Sequence, residues 1–253
     1  MYGIRFSNMK TYSILQIGAY HLNHCDDYFV ISEIGSDKIL CAVMDGCTMA
    51  IDSYFASTVV GKILRKISKT KGYKELYGLE AAFSTIDDYL KSILEELFKE
   101  LNIIKCQLML EQNELLTTLI ILLVDKISNQ GIVLVIGDGL VSINGAITEF
   151  DQDNRPDYLG FHFAEQFENW YKMQTQKIFI NDVNDVSIAT DGITMFAKVA
   201  ENNIEDEIDP IDYLLHDKTG HDSDDMLNLK MKELEHIYGL KPTDDLSVIR
   251  FIK

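Results

Sequence analysis

Residues 115–150 read LLTTLIILLVDKISNQGIVLVIGDGLVSINGAITEF, and this stretch decides the fold class. Four apolar or alternating runs follow one another in it: Leu115–Val124, Gly131–Ile136, Leu140–Ile143 and Ala146–Phe150. The connections between them are too short to hold a helix. Asn144-Gly145 lies between alternating residues, and both residues tolerate the positive φ of a tight hairpin turn. Ser128–Gly131 is a second, looser hairpin signal. Strands joined without an intervening helix pair antiparallel, so a doubly wound parallel fold is excluded.

Upstream, Tyr12–Ala19, Tyr28–Ile34 and Ile39–Met44 are short runs rich in Ile, Val and Tyr and are expected as strands. A helix is expected from an N-cap at Asp52 and Ser53 to Ile67, with Phe55, Val59, Val60, Ile63 and Leu64 on one face and Lys62, Arg65 and Lys66 on the other. Leu79–Leu101 repeats that pattern, giving two long amphipathic helices on the same sheet. Downstream, Asp151–Asp157 reads as a polar loop, Phe161–Met173 as a helix and Val186–Thr190 as a strand, and another helix is expected near Ile193. The acidic stretch Glu201–Asp209 precedes helices around Ile211–His216 and Asp225–Tyr238, and a last strand spans Leu246–Ile252. Helices grouped between antiparallel strand blocks give an α+β layered sandwich, expected as a single domain over residues 1–253.

Composition narrows the function. The chain has 253 residues, 23 Lys and Arg against 40 Asp and Glu, and a formal net charge of −17. Binding to nucleic acid or to an anionic membrane surface draws on clustered cations, so neither is an expected partner. With 47% hydrophobic residues the chain can build a packed core. The longest apolar run, Leu115–Val124, falls well short of the ~20 residues that span a membrane. Met1–Lys10 is not followed by an apolar stretch of signal-peptide type, and the four cysteines (Cys25, Cys41, Cys47 and Cys106) show no Cys-x-x-Cys spacing. A cytoplasmic protein with reduced thiols is expected.

The aspartates carry the chemistry. Three Asp-Gly pairs each close an apolar run: Asp45-Gly46 after Cys41–Met44, Asp138-Gly139 after Leu134–Gly137, and Asp191-Gly192 after Ser187–Thr190. Asp244-Asp245 precedes the last strand and Asp26-Asp27 precedes Tyr28–Ile34, so five strand ends carry an aspartate. Any one Asp-Gly reads equally well as a turn or a helix cap. As a set they can converge at one sheet edge, where carboxylates repel unless a cation neutralises them. Their hard oxygens suit Mg²⁺ or Mn²⁺ rather than zinc, and a following glycine lets the backbone turn sharply.

The order of these residues resembles a known family. Cys25-Asp26-Asp27-Tyr28-Phe29, Val43-Met44-Asp45-Gly46-Cys47, Leu116-Thr117-Thr118-Leu119, Ile136-Gly137-Asp138-Gly139, Ala189-Thr190-Asp191-Gly192 and Thr243-Asp244-Asp245-Leu246-Ser247-Val248 are similar, in that order, to protein phosphatase 2C, the metal-dependent PPM family, in its bacterial branch. The resemblance spans Tyr12 to Ile252. It implies a sandwich of two antiparallel β-sheets flanked by α-helices, and hydrolysis of phosphoserine or phosphothreonine in a phosphorylated protein, a Ser/Thr kinase or its target. It further implies that Asp45 bridges two metal ions, that the Gly46 carbonyl ligates one, and that Asp191 and Asp244 complete the first ion's shell. Asp26 would face the second ion and Asp27 would orient the attacking water. Asp138 with Asp191 would hold a third, weaker ion. Two such cations, about 3.5–4 Å apart, acidify a shared water and neutralise phosphoryl oxygens.

The sequence departs from the family pattern in places that bear on substrate grip more than on metal binding. Where relatives carry a phosphate-gripping arginine, this chain has His21-Leu22-Asn23-His24. His21 or His24 would serve there as a weaker phosphate contact, or stand as surface or capping histidines. Thr48-Met49-Ala50 replaces glycines after the first Asp-Gly, and Asp245 stands where asparagine is frequent. The rival reading is a pseudophosphatase, the same fold kept as a binding or regulatory module. A third is hydrolysis of a small phosphorylated metabolite. His21-x-x-His24 with Asp26 is also a weak transition-metal pattern, and His221–Asp225 reads as a cap for the helix that follows. Cys25 and Cys47 read as small packing residues.

Overall fold

The structure is a computed structural model and describes residues 9–79, 83–152, 155–200 and 208–253. Residues 1–8 and most of the acidic stretch Glu201–Asp209 lie outside these. In chain order, the strands are β1 (Lys10–Gln16), β2 (Tyr28–Ile34) and β3 (Lys38–Met44), followed by helices α1 (Ser53–Leu76) and α2 (Ile86–Leu108). Next come β4 (Leu119–Asp125), β5 (Gln130–Ile136), β6 (Gly139–Ile143), β7 (Ala146–Phe150), α3 (Phe167–Met173), β8 (Lys177–Ile180), β9 (Asp185–Ala189) and β10 (Phe196–Lys198). The chain then forms α4 (Pro210–Leu215), α5 (Met226–His236), β11 (Leu240–Pro242) and β12 (Leu246–Ile252).

Two five-stranded sheets carry the fold, one ordered β1-β12-β9-β6-β7 and the other β2-β3-β4-β5-β8, with β10-β11 as a small extra ribbon. Every strand pair within them is antiparallel. Period-two alternation explains the layers. In β3, Cys41 and Val43 meet Val141, Ile188 and Ile249 of the other sheet, while Leu40, Ala42 and Met44 face α1 and α2. On the outer face of the first sheet, Tyr12, Ile14, Ala189 and Val248 pack against Leu214, Leu227 and Met231 of α4 and α5. Both faces of each sheet are therefore covered, and that is why the middle of the chain reads as nearly unbroken apolar runs although its strands are antiparallel.

The structure corrects several expectations. Strands β5 and β6 follow each other across two residues yet do not pair. The chain crosses from one sheet to the other at Gly137 and Asp138, where Gly137 and Gly139 take φ of 94° and 131°. Asp52 precedes α1 in a left-handed conformation and makes no side-chain cap bond, and α1 continues past Ile67 to Leu76. The second helix starts later than expected, at Ile86, where the Thr85 hydroxyl accepts the Asp88 N–H and sets the start. Phe161–Met173 divides into a 3-10 turn, Leu159–His162, and α3. The helix expected near Ile193 is a 3-10 turn, Asp191–Thr194, leading into β10. Asp225 precedes α5 without a side-chain cap bond. Asn144-Gly145 forms the expected turn, with φ of 51° and 89°. Among the described residues, no helix is long and apolar enough to cross a membrane.

Candidate metal centre

Strand register brings the aspartates to one end of the sandwich. Tyr28 pairs with Met44, so Asp26-Asp27 and Asp45 leave neighbouring strands on the same side. Leu119 pairs with Ile136, which puts Asp138 at that end of the next strands. In the other sheet, Ala189 lies opposite both Leu140 and Val248, which adds Asp191 and Asp244. All six predicted carboxylates thus reach one edge.

Backbone hydrogen bonds fix the loops that carry them. The Asp45 carbonyl accepts the Thr118 N–H at 2.8 Å and the Thr117 hydroxyl at 2.8 Å, and the Asp45 N–H donates to the Thr118 hydroxyl at 3.1 Å. The Asp26 carbonyl accepts the Gly46 N–H and the Ser57 hydroxyl. Glycine serves close approach more than turning here. A Cβ on Gly46 would sit 2.1 Å from the Ser53 carbonyl oxygen, and one on Gly192 would sit 2.0 Å from that of Asp245. Neither glycine is among the described residues of positive φ, so the sharp-turn expectation does not hold for these two.

The carboxylates divide by partner. Asp27 is buried, and its Oδ2 accepts the Thr190 hydroxyl at 2.6 Å, whereas its Oδ1 is buried with no hydrogen-bond donor. Burial, then the charges of Asp191 and Asp245, hold its carboxyl well above the ordinary range, although the Thr190 bond acts against this. Burial also raises Asp45, reinforced by Asp27, Asp191 and Asp244. Asp191 is pushed up to about 7, by burial first and then by Asp138 and Asp244. Asp26 and Asp138 rise mainly through burial. These groups repel one another, and the donors that reach them, Thr190 at Asp27, Ser53 at Asp26 and the Gly192 N–H at Asp191, only partly offset their burial. An all-oxygen donor set in that condition, with one buried oxygen unpartnered, fits a hard divalent cation.

Asp245, which the sequence reading left without a role, is a clamp. It is buried, with Oδ1 accepting the Gly18 N–H at 2.7 Å, and Oδ2 accepting the Asp26 N–H and lying 2.8 Å from His21 Nδ1. It joins the start of β12 to the loop that follows β1. Nothing local in the sequence reveals this, because Gly18 and Asp245 meet only through the β1–β12 pairing. Thr190 was likewise missed as the residue that holds Asp27.

His21 does not stand free. Its Nε2 lies 3.4 Å from Asp244, and although burial disfavours its cation, the bond and charge of Asp245 with those of Asp244 and Asp26 raise its pKa. His24 stacks on Tyr54 with ring centroids 4.4 Å apart. Among the described residues, the one trio of candidate ligands with atoms within 4.8 Å of one another is His21, Asp26 and Asp245. Its oxygens and nitrogen are largely spent on one another and on backbone N–H groups.

A family model described as Protein phosphatase 2C matches residues 18–226. No curated protein matches the chain in sequence. Among solved structures, a variant of a bacterial serine phosphatase is similar over 98% of this chain and 100% of its own, at 16% identity and a TM-score of 0.62. The serine/threonine phosphatase Stp1 from Staphylococcus aureus aligns over 97% of this chain and 95% of its own, at 14% identity and a TM-score of 0.60. RsbX, in a complex with magnesium, aligns over 96% and 94%, at 16% identity and a TM-score of 0.53. These likenesses are to the fold.

Proposed function

Because the chain belongs to the protein phosphatase 2C family, we propose that it is a metal-dependent phosphatase acting on phosphoserine and phosphothreonine in proteins. The observation that supports this most is the gathering of aspartates from five strand ends at one edge, where burial and mutual repulsion raise Asp27, Asp45 and Asp191. We assign Asp45, the Gly46 carbonyl, Asp191 and Asp244 to two Mg²⁺ or Mn²⁺ ions, with Asp26 toward the second and Asp138 joining Asp191 at a third position. When bound, such ions acidify a water and neutralise the oxygens of an in-line phosphoryl displacement.

The chain's own part is to hold oxygens in place. Thr117 and Thr118 fix the Asp45 backbone, and Asp245 ties the Asp26 loop to β12. Thr190 fixes one oxygen of Asp27 and leaves the other to accept a hydrogen bond from the attacking water. The substrates in this reading are phosphorylated proteins, a Ser/Thr kinase or its target, met in the cytoplasm. The test is phosphatase turnover with added Mn²⁺ or Mg²⁺. Turnover that survives both EDTA and Asp45→Asn would sink the assignment.

One observation favours the alternative of a binding module without turnover. Both nitrogens of His21 face Asp244 and Asp245, which leaves the exposed His24, stacked on Tyr54 through its ring face, as the one histidine of the stretch with nitrogens open to a phosphate. Calorimetry that finds ions bound, with no turnover of any phosphopeptide, would select this alternative.

A further inference from the structure

The two loops that carry the first aspartates also carry an unusual exposed surface. Leu22 is 89% exposed and Tyr20 78%, in the loop that leads to Asp26. Met49 is 97% exposed and Ile51 54%, in the loop that leaves Asp45 and Gly46. Single exposed apolar residues mean little, but here four stand on two loops that share a border. The border is physical. His24 of the first loop stacks on Tyr54 at the end of the second, at an interplanar angle of 28°, and the Gly46 N–H donates to the Asp26 carbonyl. The hairpin loops at the opposite end contrast with this. They use Ser36, Asp37, Ser128, Asn129, Asn144 and Gly145, with Ile127 as their large exposed apolar side chain among the described residues.

We propose that Tyr20, Leu22, Met49 and Ile51 form a rim that binds apolar side chains flanking the phosphorylated residue of a protein substrate. This rests on the phosphatase reading above and adds the sequence class of the substrate. Two observations select that occupant. The loops that carry these side chains are the ones that carry Asp26, Asp27 and Asp45, so whatever presents a phosphate at that edge passes over them. Tyr20 and Leu22 precede Asp26 by six and four residues, and Met49 and Ile51 follow Asp45 by four and six, so both apolar pairs sit on the loops that carry site aspartates, and the residues on either side of a phosphate are the ones that meet them. The second observation is charge. The net charge is −17, and neither loop, residues 17–27 or 45–52, contains a lysine or arginine, so grip from cations on these loops is weak and apolar contact supplies what is missing.

The test compares phosphothreonine peptides that differ only in flanks, Leu and Val against Ser and Gly, with p-nitrophenyl phosphate as a substrate too small to reach the rim. With Mn²⁺ present, kcat/KM is expected to be roughly tenfold higher for the apolar-flanked peptide. The double variant Leu22→Ser with Met49→Ser abolishes that preference through KM and leaves p-nitrophenyl phosphate turnover unchanged. Turnover of both peptides at equal kcat/KM, or a preference that survives the double variant, overturns the rim. Fluorescence anisotropy with the same peptides separates this from failure of the phosphatase reading. A flank preference in binding without turnover of any substrate overturns the enzyme and supports the rim, while loss of preference in both measurements overturns the rim.

Discussion

Both ends of the sandwich carry aspartates, and their partners differ. At the hairpin end, Asp125 Oδ1 accepts the N–H groups of Ile127 and Ser128 at 2.8 and 3.0 Å. Asp185 accepts two bonds from the buried Arg250 guanidinium, at 3.0 and 2.9 Å, and pairs with Lys218. At the other end, one oxygen of Asp27 has no donor, and Asp45 and Asp191 face other carboxylates. An aspartate given donors by its own chain closes a turn or neutralises an arginine. One denied donors by a fold that still buries it holds its oxygens ready for a cation from outside.

The contrast is open to attack with the same substitution at each end. Asp45→Asn is expected to lower metal-dependent turnover by at least ~10²–10³-fold while leaving the metal-free protein as stable as before or more so, because it removes a repelled charge. Asp185→Asn should do the reverse. It leaves the buried Arg250 cation without a counter-charge, facing only neutral acceptors, the amide oxygen at 185 and the carbonyls of Leu214, His216 and Asp217, at a cost of about 3–5 kcal/mol. That is a fall of roughly 10 °C in Tm, with turnover per folded molecule unchanged. Equal effects of the two variants on stability would erase the distinction.

Acidity gives a second test. A carboxyl raised on folding contributes stability that is present below its unfolded value, near 4, and is lost as the pH rises through its folded value. With Asp191 at about 7 and Asp27 and Asp45 raised as well, the metal-free protein should lose Tm by several degrees between pH 5 and pH 8. Saturating Mg²⁺ or Mn²⁺ should flatten or invert that slope. A metal-free Tm that climbs over this range would contradict the repulsion.

Smaller effects sharpen the comparison. Thr190→Val keeps the shape of the side chain but removes the donor to Asp27 and the acceptor of the buried Ser247 N–H, and is expected to lower turnover about tenfold and Tm by a few degrees. Gly145→Ala at the hairpin end meets no neighbour but forces alanine to φ 89°, costing about 1 kcal/mol in denaturant titration with no effect on turnover.

Much of this architecture is legible in the sequence, for identifiable reasons. Tyr28–Ile34, Ala146–Phe150 and Leu246–Ile252 are strands with the expected bounds, because each is an apolar or alternating run stopped by turn or charged residues. The short edge and ribbon strands β8, β10 and β11 were not expected, since a few residues of mixed polarity carry no period. The split of β5 from β6 was also hidden, because two adjacent apolar runs look the same whether they pair or part. At the candidate centre the aspartates stood out because each closes or opens an apolar run. The clamp at Asp245 did not, because its partners, Gly18 and the Asp26 N–H, lie more than two hundred residues away in sequence.

That separation also sets an order of assembly. Strand β12 follows all the other described strands in sequence yet lies between β1 and β9, and the residues just before it are Asp244 and Asp245. During synthesis, Asp26, Asp27 and Asp45 emerge early, and α1, α2 and the β2-β3-β4-β5 ladder can form around them. The first sheet then lacks the strand that joins β1 to β9 until residue 252 is clear of the ribosome. A partly made chain therefore lacks two of the aspartates at that edge, and the cluster is complete only when β12 inserts.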